Sequence, residues 1–152
     1  MQFNIPEPLT HEHEVLHQRL HSAKDAGGAV AEATDNLIAA LHPHFVREEE
    51  IAMPPLALLL PLSKGEYRRD MDEVLELTDA LSAELPRMLE EHAQIRAAAQ
   101  KLADAAKAAG RDDIVEFCDD LGVHARTEEE VLYPAALLVG ELVRRHSSEA
   151  SR

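Results

Sequence analysis

Four stretches of the chain set a histidine where an amphipathic helix should bury leucine, and two of them add a glutamate one helical turn later. The residues are His13, the pair His44 and Glu48, His92, and the pair His124 and Glu128. Each lies in line with the apolar stripe of its own segment. An ionised carboxylate withdrawn from water costs several kcal/mol, so two of them approach the whole stability margin of a domain this size. Divalent or trivalent cations would neutralise both and occupy the imidazole lone pairs. Imidazole and carboxylate together suit iron or manganese, being a harder ligand set than thiolates. The pattern therefore points to a buried metal centre.

The elements that must position these side chains follow from the same periodicity. Helix 1 is expected from about Pro8 or Thr10 to before Gly27, with Leu9, His13, Leu16 and Leu20 inward. Helix 2 carries Val30, Thr34, Leu37, Leu41, His44, Glu48 and Ile51, with Pro43 inside it and Pro54 ending it. Helix 3 carries Leu85, Met88, His92, Ile95, Ala99 and Leu102, with Pro86 at its start or at a kink. Helix 4 runs from Asp112 through Phe117, Leu121, His124, Glu128, Val131, Ala135, Leu138 and Leu142, kinked at Pro134. Between helices 2 and 3, the segment Met53 to Leu85 is long for a bundle connection. Its periodic Met71, Val74, Leu75, Thr78 and Leu81 predict an extra helix packed on the outside.

Residues equidistant from the turn of an antiparallel hairpin lie at one height. The point halfway between His13 and His44 falls at Gly28, and that between His92 and His124 falls close to Gly110. Both hairpins thus bring their histidines level. The expected fold is all-α, an antiparallel up-down four-helix bundle with an extra helical insertion between helices 2 and 3, forming one domain over residues 1–152.

Bulk composition narrows the function. A formal charge of −14 repels phosphate backbones and anionic lipid, which argues against nucleic acid or membrane as partners. Aromatics make up only 3% of the chain, which favours helices over sheets. The lone Cys118 is expected as a buried reduced thiol. With no leader pattern and no apolar run long enough to span a bilayer, a cytoplasmic location is expected.

The segments His44-Phe-Val-Arg-Glu48-Glu, Glu91-His92 and His124-Ala-Arg-Thr-Glu128-Glu-Glu-Val-Leu-Tyr-Pro134, behind a Glu12-His13-Glu, resemble the hemerythrin family, specifically its HHE cation-binding domains. The resemblance covers most of the chain apart from Met53 to Leu85. It implies two iron ions bridged by carboxylates and an oxygen species, with an open position for dioxygen or another small diatomic ligand. It makes His13, His44, His92 and His124 terminal ligands and Glu48 and Glu128 bridges. The chain departs from the dioxygen carriers at Arg96, where a fifth histidine is expected one turn after His92. His17 could replace it from helix 1, or Glu49, Glu91 or Glu129 could supply an oxygen. His11, His21, His42 and His146 are read as surface residues and Tyr133 as core packing.

Binding or sensing of dioxygen, nitric oxide or iron is the function expected, rather than catalysis. One alternative is a diiron oxidase or ferroxidase, against which stands the single unpaired Glu-x-x-His segment, Glu14 to His17. The other is a structural or interaction site for a redox-inert ion such as zinc, supported by the His13, His17, His21 ladder; manganese is a further alternative metal.

Overall fold

The computed structural model describes residues 1–152 and contains helices and turns only. Helix α1 (Glu7–Ala23) has Pro8 in its first turn, where a missing N–H is no loss. A single 3₁₀ turn, Lys24–Ala26, leads to Gly27, whose φ of 68° lets the chain reverse. Helix α2 (Gly28–Ile51) runs through Pro43 without interruption. After it come a 3₁₀ turn at Pro54–Leu58, the short α3 (Leu59–Ser63) and a second 3₁₀ turn at Arg69–Glu73. Helix α4 (Val74–Ala108) is the longest element, 35 residues with Pro86 inside. Gly110, at φ 69°, turns the chain into α5 (Asp112–Thr127), whose first turn holds Asp112 and Asp113. A π-helical turn, Glu128–Leu132, joins α5 to α6 (Tyr133–Ala150).

The four long rods are α1, α2, α4 and the broken rod α5–α6. Helix α2 packs on α4, α4 on α5 and α6, and α1 on α2 and α5, which closes the expected antiparallel bundle. One apolar cluster fills the end nearest the two glycine turns, with Leu20, Leu37, Leu41, Ile95, Leu102, Phe117 and Leu121 among its members. A second, built on Ile51, Met53, Leu81, Met88, Tyr133 and Ala136, fills the other end. The histidine and glutamate layer lies between these two in sequence register on every rod.

Two expectations need correction. The residues Met71 to Leu81 do not build a separate outer helix. From Val74 onward they are the amino half of α4, and Met71, Val74 and Leu81 are buried. Pro86 neither starts nor ends the rod, because the apolar stripe on both sides continues in one register and packing outweighs one lost hydrogen bond. The connection proper is only the three short turns, whose Leu58 and Leu62 pack with Met71, Val74, Val139 and Val143 in a third cluster.

The second correction concerns the last rod. A single regular stripe was expected to bury Val131, Leu138 and Leu142, yet these are 56%, 67% and 38% exposed, and Tyr133, Ala136, Val139 and Val143 are buried instead. The N–H of Tyr133 bonds to the carbonyl of Glu128, five residues back. That wider turn inserts one residue into the spiral and advances the inward face by one position. It comes directly before Pro134, whose ring would crowd the carbonyl of a regular helix four residues back.

Helices α4 and α6 approach closely at Gly140, where a Cβ would sit 2.4 Å from the Thr78 hydroxyl oxygen and 2.7 Å from its Cβ. Thr78 is itself buried and branched, so neither side can yield by a rotamer change. Gly140→Ala should therefore lower stability by about 1–3 kcal/mol despite its better helix propensity. Chemical denaturation reads this directly; an unchanged midpoint would show that the rods separate without cost.

Candidate metal centre

All six residues expected at the centre are inside: His13 and His124 are 6% exposed, His44, His92 and Glu128 1%, and Glu48 0%. They form two groups of facing donor atoms. His44, Glu48, His92 and Glu128 make one, and His13, His124 and Glu128 the other, so Glu128 is common to both. Its Oε1 lies 3.2 Å from His92 Nε2, while its Oε2 lies 3.3 Å from His124 Nε2 and 3.8 Å from His13 Nε2. Glu48 Oε1 stands 2.8 Å from His44 Nε2.

The outward nitrogens explain which atoms face in. His13 Nδ1 is 3.2 Å from Glu49 Oε1, His44 Nδ1 3.2 Å from Glu91 Oε1, and His92 Nδ1 2.9 Å from Glu129 Oε1, while His124 Nδ1 meets Glu12 Oε1. A carboxylate only accepts, so each Nδ1 carries the hydrogen and each neutral ring turns its Nε2 lone pair inward. These four bonds also run from α1 to α2, α2 to α4, α4 to the π turn, and α5 back to α1. The belt closes around the bundle and fixes every imidazole ring from the neighbouring rod.

Inside the belt, partners are lacking. His13 Nε2, His124 Nε2, both oxygens of Glu48 and Glu128 Oε2 are buried without a hydrogen bond. Glu48 Oε1 is close to His44 Nε2 yet lacks hydrogen-bond alignment with it. Lone pairs facing lone pairs in a dry interior repel, and such groups are retained where something positive sits between them. The donor set fits metal ions on this ground.

Electrostatics in the protein alone point the same way. Burial opposes the charged form of His44, but the Glu48 and Glu91 carboxylates outweigh it and raise its pKa, so the layer draws positive charge toward this ring. Burial lowers the pKa of His92 and His124, against the pull of Glu129 and Glu12 respectively, which keeps those imidazoles neutral and able to ligate. Arg96 binds Glu129 at 3.0 Å and holds its carboxyl below the usual range, so the side chain that replaces the expected fifth histidine acts on the belt and offers no donor. Of the four belt carboxylates, Glu129 alone has a guanidinium partner among the hydrogen bonds formed.

His17 is not brought into either group of converging donors. Its ring lies 4.8 Å from His21, 6.0 Å from His42 and 6.4 Å from Phe45, and Phe45 stacks on His13 at 4.2 Å. His17 and His13 instead line a surface cleft between α1 and α2 with Thr10, His42 and Glu49. His11, His21 and His42 are exposed as expected, while His146 stacks on Tyr67. Cys118 is buried, which pushes its thiol pKa up to about 11 and leaves it a poor nucleophile.

Two sets of residues escaped the sequence reading. Tyr133, taken as packing, does pack in the second apolar cluster, but its hydroxyl also reaches the centre, 3.2 Å from His92 Nε2 and 3.4 Å from His44 Nε2. A residue five positions after Glu128 points away in a regular helix, and only the π turn brings it round. The belt carboxylates had a legible signal: each is sequence neighbour to an inward candidate donor, as Glu12 to His13, Glu49 to Glu48, Glu91 to His92 and Glu129 to Glu128. One step along a helix turns ~100°, which aims such a side chain at the adjacent rod.

Comparison with known proteins gives a match to the hemerythrin HHE cation binding domain over residues 4–136. No curated protein and no solved structure matched the chain. No helix is long and apolar enough to cross a membrane.

Proposed function

Because the chain belongs to the hemerythrin HHE cation-binding domain family, we propose that it is a non-haem diiron protein that binds or senses a small diatomic molecule, dioxygen or nitric oxide. The observation that carries this reading is Glu128, whose two oxygens face two separate sets of imidazole nitrogens. The six side chains do not converge on one point, because their donor atoms fall into two facing groups that share only Glu128. Bound there, iron supplies a Lewis acid with two accessible oxidation states.

The rest falls to the chain's own residues. His44, His92, Glu48 and Glu128 Oε1 would hold one ion, and His13, His124 and Glu128 Oε2 would hold the other. The second set is poorer in donors and adjoins the cleft that His13 and His17 line, so it is the side that a small ligand reaches. The apolar clusters above and below keep bulk water from the layer. The belt carboxylates keep each Nε2 deprotonated and aimed.

Loading the full chain with ferrous iron under anaerobic conditions and mixing it with oxygenated buffer tests the reading. Arg96 supplies no nitrogen, so we expect an absorption change that persists after the gas is stripped, the reduced iron having been oxidised rather than reversibly liganded. Return of the starting spectrum would instead identify a reversible carrier. Absence of any spectral response to dioxygen and to nitric oxide would overturn the small-ligand reading.

A further inference from the structure

We propose that the hydroxyl oxygen of Tyr133 is itself a metal ligand, completing the site of the ion held by His44 and His92; this rests on the reading that the layer binds metal. Tyr133 is 1% exposed, and its hydroxyl points at two imidazole nitrogens, both aimed inward by the belt. A hydroxyl has one hydrogen and cannot satisfy two acceptors together. Once a cation takes both lone pairs, neither acceptor remains. The oxygen is then left beside the ion in a dry interior.

Its placement is that of a donor. With metal–nitrogen and metal–oxygen bonds of about 2.1 Å, two donors on one ion stand about 3.0 Å apart at a right angle and about 3.4 Å apart in a tetrahedron. The Tyr133 oxygen is 3.2 and 3.4 Å from the two nitrogens. Glu128 Oε1 at 3.2 Å from His92 and Glu48 Oε1 at 2.8 Å from His44 fall on edges of similar length. An ion at this position would have two nitrogen and three oxygen donors, a hard set that suits ferric iron. As the oxygen–metal bond forms the O–H bond breaks, and its proton leaves to solvent. The π turn gains a purpose, since without it Tyr133 would face away.

The structure also divides the two positions by role. An ion at His44 and His92 would be enclosed by protein donors, whereas one at His13 and His124 would have three and would adjoin the cleft that His13 lines. Exogenous ligands are thereby directed to the second.

The test adds ferrous iron anaerobically to the metal-free full chain, then oxidises it with ferricyanide so that dioxygen plays no part. The wild type should show a visible tyrosinate-to-ferric charge-transfer band, and excitation within it should enhance tyrosine ring modes in the Raman spectrum. Tyr133→Phe should keep its fold and bind iron but lose the band entirely; Tyr67→Phe, altering the only other tyrosine, should keep it. Should Tyr133→Phe fail to fold, the wild-type Raman spectrum, with and without ring-deuterated tyrosine, decides alone. Iron bound by the wild type without tyrosinate modes, or a band that survives in Tyr133→Phe, overturns the proposal and leaves the diiron reading standing. No uptake of iron by the wild type overturns both.

Discussion

Replacing Glu128 by alanine should weaken both metal positions at once, emptying that of His13 and His124 and loosening that of His44, His92 and Glu48 at metal concentrations that saturate the wild type. The reason is the division of its carboxylate, with Oε1 toward His92 and Oε2 toward His124 and His13. Without it the His13 and His124 group keeps two imidazoles and no charge-neutralising donor. Glu48→Ala should act more locally, because Glu48 joins the His44 and His92 group alone, and weaken one ion first. Elemental analysis of the two variants after desalting separates these outcomes. A Glu128→Ala protein that retains one tightly held ion would show that the positions are independent and unbridged.

The metal-loaded protein should melt well above the metal-free one. A ligand bound only by the folded state adds about 2.7 kcal/mol at roughly a hundredfold excess over its Kd, which for a domain of this size raises Tm by roughly 5–10 °C per site. Relief of five buried unpaired atoms adds to the effect in the same direction. Acid should reverse it. The imidazoles must be neutral to ligate, so the gain is present at neutral pH and is lost in acid, when protons compete for the same lone pairs; burial, which lowers the pKa of His92 and His124, delays that competition at those two rings. Coincident melts with and without metal at neutral pH would contradict a buried shared site.

Much of this was legible in the chain itself. His13, His44, Glu48, His92, His124 and Glu128 declared themselves because each occupies an apolar register, and the glycines at 27, 28 and 110 fixed their common height. What stayed hidden depended on register changes that local pattern does not announce. Proline signals at 86 and 134 look alike in sequence, yet the first is absorbed within α4 while the second is met by a π turn that rotates the rest of the rod. The difference is tertiary: Leu81 and Met88 on either side of Pro86 pack in one cluster, whereas beyond Glu128 the inward positions are Tyr133 and Ala136. Tyr133 was lost to view through that one-residue shift. Of the belt, Glu49, Glu91 and Glu129 were read as alternative oxygen donors and Glu12 only as part of a motif, because pairing across rods is invisible along any single one.

The central claim, a dinuclear centre bridged by Glu128, is tested most directly by counting. Anaerobic titration of the metal-free full chain with ferrous iron, followed by desalting and elemental analysis, should plateau at two irons per chain, both retained. A plateau at one iron, or a single tightly held zinc with no capacity for iron, would contradict it.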